Sequence, residues 1–284
     1  MELVKPDSLD AAVDALQEDG AACLSGGATL VAMMNSDLVA PDRLVSLRNI
    51  PALRHVRYQA DGSVVIGAMR HHRETAQETN FRDGQSVISE AARQIANPPV
   101  RNMGTMGGSC AFFDPAADYP PALVAADARF LLRSSEGHRT VSADDFFVDW
   151  YETALKDGEL IEFVVIPPAH SGSIGNYTKL ARVSGDFAIA SVALVMAMEE
   201  EVCSYLAVAV GACGPKPARS REGEADIMGG RLDNSAIARL TDALDALLDP
   251  VDDVRASAEY RRRVAPRMVR QAIRKAQKVL SEVR

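Results

Sequence analysis

Apolar residues recur at helical spacing near the start of the chain. The positions that share one face of this segment are Leu9, Ala12, Val13 and Leu16. Ser8 is placed to cap the segment and Gly20 to end it. The pattern therefore predicts an amphipathic helix over residues 8–19, with its apolar face packed on a core.

Short apolar runs separated by turn residues predict strands in the rest of the first half. The runs cover residues 21–24, 45–47, 53–58 and 63–66. Residues 60–62, Ala-Asp-Gly, lie between the last two runs and predict a hairpin. Further helices are predicted over 30–34 and 85–96, the second ended by Pro98 and Pro99. Strands and helices are thus mixed here without a regular βαβ alternation.

A break in the pattern predicts a domain boundary. Pro167 and Pro168 are followed by a small, polar run, so we expect one domain over residues 1–170 and a second over 171–284. In the second, strands are predicted over 175–180, 188–199 and 204–211, and helices over 234–248 and 257–281. Strands followed by helices indicate an α+β fold class for this domain.

Composition and charge narrow the class of protein. The chain has 284 residues, of which 47% are hydrophobic and 25% charged, and its net charge of −8 argues against a nucleic-acid-binding surface spread over the molecule. The apolar run Ala188–Met198 is too short to span a bilayer. The first residues lack a basic start followed by an apolar stretch, so we expect a cytoplasmic protein.

The cysteines argue against a metal or iron–sulfur site in this chain. They are Cys23, Cys110, Cys203 and Cys213, and no two of them form a CxxC pair. The adjacent pair His71 and His72 is expected not to share a metal, because neighbours in an extended segment point to opposite faces. Cys110 is expected to be a small buried apolar residue. Trp150 and Tyr151 are expected in the core or in a subunit contact.

Two glycine-rich loops carry the strongest chemical signal. They consist of Ser25, Gly26, Gly27, Ala28 and Thr29, and of Thr105, Met106, Gly107, Gly108 and Ser109. Each is expected to follow a strand or a turn, where glycine lets the backbone approach a ligand and successive N–H groups can bind an anion. Neither loop is a GxGxxG or GxxxxGK[ST] motif. Binding of the two phosphates of a dinucleotide is one reading, and ordinary tight turns are the other.

A proline-rich segment follows the second loop. Pro115, Pro120 and Pro121 predict an extended, rigid stretch that fixes the position of Asp118. Its carboxylate is suited to accept hydrogen bonds from sugar or polyol hydroxyls. The alternative is an aspartate that faces solvent from a loop.

The order of these motifs resembles a known family. The first loop, the second loop with its preceding Val100-Arg101-Asn102, and Asp114–Pro120 are similar to the FAD-binding medium subunit of molybdenum hydroxylases, a group that includes xanthine dehydrogenase and aerobic carbon monoxide dehydrogenase. The resemblance continues through residues 177–182 and 185–188 and reaches residues 257–262. It implies a two-domain fold, in which an FAD-binding domain of the vanillyl-alcohol-oxidase or PCMH type precedes a sheet-plus-helices domain.

The resemblance also implies roles for individual residues. Both glycine loops match pyrophosphate-binding loops, and Asp118 matches an aspartate that hydrogen-bonds FAD hydroxyls. Ile161 matches an aliphatic residue near the isoalloxazine ring, and Lys179 matches a lysine at the polar edge of the flavin. Ile95 stands where some relatives carry an aromatic residue, which leaves open what covers that face. Ser109 replaces the asparagine or aspartate of many members.

The function implied is one step of an electron-transfer chain, with no catalytic side chain in this subunit. FAD would be bound non-covalently here, while a large subunit carries the molybdenum cofactor and a small subunit carries 2Fe–2S clusters, as a dimer of heterotrimers. Two alternatives stay open. One is a self-sufficient FAD-dependent oxidoreductase, and the other is an assembly subunit that has lost FAD. The basic residues around 261–278 are expected on an amphipathic helix docked on its own domain.

Overall fold

The N-terminal lobe is a small parallel sheet with two helices, seen in a computed structural model that describes residues 1–282. In chain order its elements are β1 (Glu2–Val4), α1 (Leu9–Ala15), β2 (Ala21–Leu24), α2 (Leu30–Asn35) and β3 (Arg43–Ser46). Strand β3 lies in the middle and pairs in parallel with both neighbours. Ser8 caps α1 as predicted, accepting a hydrogen bond from the N–H of Ala11 at 3.2 Å. The helix buries Ala12 and Val13 against β3 and holds the lobe together.

The central lobe is built on a five-stranded antiparallel sheet. Its strands are β4 (Val56–Tyr58), β5 (Val64–Gly67), β6 (Arg129–Ser134), β7 (Gly137–Ser142) and β10 (Leu160–Ile166), and a separate small pair is β8 (Phe147–Asp149) with β9 (Glu152–Thr153). The order in the sheet is β4-β5-β10-β6-β7. The predicted hairpin is confirmed as β4 and β5. The last strand, β10, joins the two hairpins because it pairs with both β5 and β6.

Five helices lie between β5 and β6 in the chain, and a sixth follows β7. They are α3 (His72–Ala76), α4 (Ser86–Gln94), α5 (Pro98–Met103), α6 (Met106–Phe112), α7 (Tyr119–Ala125) and α8 (Ala143–Phe146). Helix α4 agrees with the prediction over 85–96. Little in the sequence pattern indicates the short helices, because each is held by packing on its neighbours rather than by its own length.

The proline-rich segments differ from the sequence-based expectation. Pro98 and Pro99 were expected to end a helix, but α4 ends at Gln94 and the two prolines begin α5. Pro120 and Pro121 were expected in an extended stretch, but they form the first turn of α7. In both cases the missing N–H of proline lies in the helical turn that has no internal acceptor, so proline is tolerated there.

The C-terminal unit is a three-stranded antiparallel sheet covered by helices, as predicted. Its elements are β11 (Ile174–Leu180), β12 (Ala190–Glu199), β13 (Val202–Gly211), α9 (Arg221–Ile227), α10 (Asn234–Asp245) and α11 (Ala258–Glu282). One face of β12, with Val192 and Leu194, packs on α10 and α11. The opposite face, with Ala193 and Val195, joins the core of the central lobe. Burial on both faces explains why this strand reads as an unbroken apolar run.

The long α11 is docked on its own domain, as its pattern predicted. Val269, Ala272, Ile273 and Ala276 are buried in the core of the C-terminal unit. Within residues 1–282, every helix is too short or too polar to cross a membrane. Pro167 and Pro168 follow β10 directly. The domain bounds at 1–170 and 171–284 stay a prediction, and residues 283–284 of the second range lie outside the described part.

Candidate functional site

A cleft of about 520 Å³ lies where the N-terminal lobe, the central lobe and the C-terminal unit meet. Most of the residues predicted for the site line it. They are Ser25, Gly26, Gly27, Ala28, Thr29, Ile95, Thr105, Gly107, Gly108, Ser109, Asp118 and Ile161. Residues as far apart in the chain as Ser25 and Ile161 are thereby brought to one surface. The two exceptions are Met106 and Lys179, which lie behind the wall of the cleft.

The first glycine loop links β2 to α2 and touches the second loop. A Cβ atom on Gly26 would lie 2.0 Å from the carbonyl oxygen of Met103, so only glycine permits this approach. Gly27 has a φ of 77°, the left-handed region that glycine favours. The hydroxyl oxygens of Ser25 and Thr105 are 2.6 Å apart and form a hydrogen bond between the two loops.

The backbone N–H groups of the first loop are free for a ligand. Those of Gly26, Gly27, Ala28 and Thr29 donate no hydrogen bond to any residue in the described part of the chain. The loop is nevertheless half-buried over residues 25–28. Free donors on a half-buried loop that faces a cleft are suited to bind an anion such as a phosphate. This observation shows that the site fits the pyrophosphate of a dinucleotide.

The second loop is different from what the sequence suggested. It does not follow a strand, but forms the start of α6, where Thr105 accepts a hydrogen bond from the N–H of Gly108 at 3.1 Å. Neither Gly107 nor Gly108 has a positive φ. Met106 is fully buried in the core of the central lobe and does not reach the cleft.

The N–H groups of Met106, Gly107, Gly108 and Ser109 in the second loop are already used. Met106 donates to the carbonyl of Arg70 at 3.0 Å, and Gly107 donates to that of Ala68 at 2.8 Å. A Cβ on Gly107 would lie 2.6 Å from the Cβ of Ala68. This glycine therefore serves the packing of α6 on the segment after β5.

A buried ion pair forms the floor of the cleft near α7. The Asp118 carboxylate lies 3.0 Å from Lys179 Nζ and accepts a hydrogen bond from the Tyr177 hydroxyl at 2.7 Å. Lys179 also donates to the carbonyl of Gln94 at 2.6 Å. Burial raises the pKa of Asp118 and Lys179 opposes this shift. The alternative of an aspartate that faces solvent is therefore wrong, because Asp118 is buried.

The hydrophobic wall contains aromatic residues that the sequence analysis did not assign. Phe112 and Phe187 line the cleft together with Ile95 and Ile161. Phe187 is 44% exposed and follows Gly185, whose added Cβ would lie 2.8 Å from the carbonyl oxygen of Ala96. The motif at residues 185–188 was a signal for this wall, although its aromatic residue had no assigned role. Two phenylalanines are thus available where Ile95 replaces an aromatic residue.

The remaining candidates are also placed by the structure. His72 begins α3 rather than lying in an extended segment, and it is buried at the cleft, whereas His71 is half-buried. Cys110 is buried as predicted. Trp150 and Tyr151 are 41% and 57% exposed, which excludes the core and leaves the subunit contact as a prediction. No group of three or more metal-ligating side chains occurs among residues 1–282.

Comparison with known proteins gives the same picture for nearly the whole chain. Residues 1–169 match the model of the FAD binding domain in molybdopterin dehydrogenase, and residues 175–276 match that of the CO dehydrogenase flavoprotein C-terminal domain. The carbon monoxide dehydrogenase medium chain of Hydrogenophaga pseudoflava is 34% identical over 273 residues, 95% of each chain. A 6-hydroxypseudooxynicotine dehydrogenase complex subunit alpha of Paenarthrobacter nicotinovorans is 33% identical and covers 96% of this chain and 93% of its own.

The solved structures agree with the sequence relatives. The reconstituted CO dehydrogenase from Oligotropha carboxidovorans contains a chain that superposes with a TM-score of 0.94 at 32% identity. The match covers 98% of both chains. The similarity therefore extends over both matched domains.

Proposed function

This chain belongs to the family of FAD-binding medium subunits of molybdenum hydroxylases, and on that premise we propose that it relays electrons from 2Fe–2S clusters of a partner subunit to an external acceptor. The observation that carries the proposal is the cleft with its half-buried loop of free N–H donors. Bound FAD supplies a redox group that accepts two electrons and passes them on. The residues of this chain bind that group and control its surroundings.

The first glycine loop supplies the main phosphate contacts in this proposal. Its four free N–H groups point to an anion and need no charged side chain to hold it. The second loop contributes the hydroxyl of Ser109 and the shape of the wall, because the N–H groups of residues 106–109 are occupied. The first loop would thus make more of the hydrogen bonds to FAD than the second.

Asp118 and Lys179 act together in this proposal. Lys179 is tied to Asp118 and to the Gln94 carbonyl, so it orients the carboxylate and opposes the rise in its pKa that burial causes. The carboxylate retains acceptor capacity for hydroxyl groups of the cofactor, since each oxygen carries two lone pairs. Ile161 and Phe187 exclude water from the flavin, as expected for residues that line an apolar part of the wall.

The partner subunits follow from the relatives. They are named as medium chains or subunits of enzymes that act on different compounds, such as carbon monoxide, glyceraldehyde and caffeine. We infer a large subunit with the molybdenum cofactor and a small subunit with 2Fe–2S clusters, assembled as a dimer of heterotrimers. The substrate is then selected by the large subunit. The four cysteines of this chain are unpaired, which is typical of a cytoplasmic protein.

The relay is tested by the source of the electrons. The isolated, FAD-loaded chain should be bleached by dithionite but not by the organic substrate of the complex. Addition of the iron–sulfur and molybdenum subunits should restore reduction by substrate. Rapid reduction of the single chain by substrate, without molybdenum or iron, would favour a self-sufficient oxidoreductase. A purified complex whose medium subunit lacks the flavin spectrum would instead indicate an assembly subunit.

Non-covalent attachment is tested by acid precipitation. We propose that all yellow colour is released to the supernatant. The matched control is Cys23→Ser, because Cys23 is the cysteine closest to the first loop and lines the cleft. Flavin that stays in the pellet of the natural protein but not of the variant would show a covalent bond to this cysteine.

A further inference from the structure

His72 is buried in the wall of the cleft, and one of its two ring nitrogens has no partner. The side chain is 4% exposed and begins α3. Its Nδ1 lies 3.3 Å from the hydroxyl oxygen of Tyr119. Within residues 1–282, Nε2 makes no hydrogen bond. Because His72 lines the cleft, this free nitrogen is available to a ligand there.

The ring lies at the meeting point of the two glycine loops. A Cβ on Gly104 would be 2.5 Å from Nε2, so the ring edge rests directly against this glycine. The backbone N–H of His72 donates to the carbonyl of Gly104 at 3.0 Å. An added Cβ on Gly26 would lie 3.0 Å from the Cα of the same residue. His72 is therefore adjacent to the loop that carries the free N–H donors.

The charge state of the ring makes it a neutral donor. Burial, with the charges of His71 and Arg101 adding to it, lowers the pKa of His72 to about 3. The ring is then neutral near pH 7 and carries one proton. Burial also raises the pKa of Tyr119, so its phenol keeps its proton.

The proton of the neutral ring can lie on either nitrogen. Thr75 donates its hydroxyl proton to the carbonyl of His71 at 3.3 Å, and the Tyr119 hydroxyl can donate to Nδ1 or accept from it. An anionic oxygen at Nε2 favours the tautomer with the proton on Nε2, in which Tyr119 donates to Nδ1. In that tautomer Nε2 is a donor without an acceptor among residues 1–282.

We propose that His72 Nε2 donates a hydrogen bond to an oxygen of the FAD pyrophosphate, beside the free N–H groups of the first loop. This role rests on the proposed function only in so far as the chain binds FAD. A neutral donor adds one hydrogen bond to the anion site, and this bond is weaker than the ion pair that an arginine would form. His72 thus joins the cofactor-binding residues, although the adjacent pair of histidines showed no such role in the sequence.

Two variants separate the ring nitrogens. His72→Asn keeps a polar atom near the position of Nδ1 and removes the one at Nε2, whereas His72→Gln places an amide nitrogen near Nε2 and gives up the contact with Tyr119. The dissociation constant for FAD is measured by quenching of flavin fluorescence in the full-length chain. We expect His72→Asn to weaken FAD binding about 10- to 100-fold, the range for a hydrogen bond to a charged group. His72→Gln should stay within about threefold of the natural protein, as the matched variant that keeps the donor. Equal affinity of the two variants would overturn the proposal.

A second measurement remains informative where a variant fails to fold. The 15N shifts of the His72 ring in the full-length natural chain report which nitrogen is protonated, and ADP serves as a probe that carries the diphosphate without the flavin. We expect the proton on Nε2, with a shift of this signal when ADP is added and no shift with riboflavin. A proton on Nδ1 in the presence of ADP would refute the role. Failure of the electron relay would leave these binding results unchanged, so the two proposals fail separately.

Discussion

The two glycine loops resemble each other in sequence but not in their hydrogen bonds. The first, at residues 25–29, keeps its N–H groups free on a half-buried surface. In the second, at residues 105–109, the N–H groups of residues 106–109 donate to the carbonyls of Arg70 and Ala68 and to Thr105, which caps α6. One loop therefore offers donors to a ligand, while the other completes the fold. Glycine content alone does not distinguish a binding loop from a packing loop.

The reasons for glycine also differ between the loops. Gly26 is required by the carbonyl of Met103 in the other loop, and Gly27 by its positive φ. Gly107 is required by Ala68, within the central lobe. A substitution in the first loop should thus act on the cofactor, and one in the second should act on stability. Four predictions test this contrast, in order of expected effect.

The largest effect is expected for Gly26→Ala. Its Cβ would lie 2.0 Å from a backbone oxygen, so the two loops must separate and the free N–H groups must move. We expect FAD affinity to fall at least about 100-fold, equivalent to about 2.7 kcal/mol, by flavin fluorescence titration. The control is Gly230→Ala, where the added Cβ would meet only the Ile227 carbonyl oxygen at 3.5 Å. Unchanged affinity in Gly26→Ala would show that loop contact does not matter for binding.

Gly107→Val is expected to act on the apo protein. The isopropyl side chain adds three carbon atoms beside Ala68 and overpacks the start of α6, at a cost of about 1–3 kcal/mol. Urea unfolding of the flavin-free chain should show this loss as a lower midpoint with an unchanged slope. Gly230→Val is the matched control, because an added Cβ there would meet only the Ile227 carbonyl oxygen at 3.5 Å. If Gly107→Val kept the full stability of the flavin-free chain but no longer bound FAD, the second loop would be a phosphate-binding loop.

The pH dependence of stability should report the neutral His72 beneath the second loop. Burial lowers the pKa of His72 to about 3 in the folded chain, whereas the unfolded chain has the ordinary histidine value of about 6.5. Below pH 6.5 the unfolded chain binds a proton that the folded chain excludes, so stability falls with pH by up to about 1.4 kcal/mol per unit. Denaturant unfolding between pH 7 and 5 should show a steeper loss than in His72→Gln. Parallel pH profiles would show that the ring is not held neutral.

The smallest effect is the hydrogen bond between the loops. Ser25 and Thr105 are joined at 2.6 Å, and a double-mutant cycle with Ser25→Ala and Thr105→Val isolates their coupling. We expect a coupling of about 1 kcal/mol in the free energy of unfolding. Thr105→Val should cost more than Ser25→Ala, since Thr105 also caps α6. A coupling near zero would mean that the loops are joined by shape alone.

The sequence predicted the C-terminal unit better than the central lobe. Its strands and helices are long and periodic, and α11 buries the apolar stripe that its spacing indicated. The central lobe contains several helices of four to seven residues, and the two proline pairs begin helices instead of ending or excluding them. Short elements carry too few periods for a pattern, so contacts with distant segments decide them.

What the sequence determined by itself was the family, the class of cofactor and the stretches of chain that form the site. Only the tertiary structure decided which of those groups are free to bind. The N–H groups of Gly107 and Gly26 are chemically the same. That of Gly107 donates to the carbonyl of Ala68, whereas that of Gly26 has no acceptor in the described part of the chain and lies at the cleft. Likewise, packing places Lys179 in an ion pair with Asp118. It also keeps His72 neutral and leaves its Nε2 without a hydrogen-bond partner among residues 1–282. Hydrogen-bond saturation and desolvation depend on what packs against a group in space, and segments far apart in the sequence supply those neighbours.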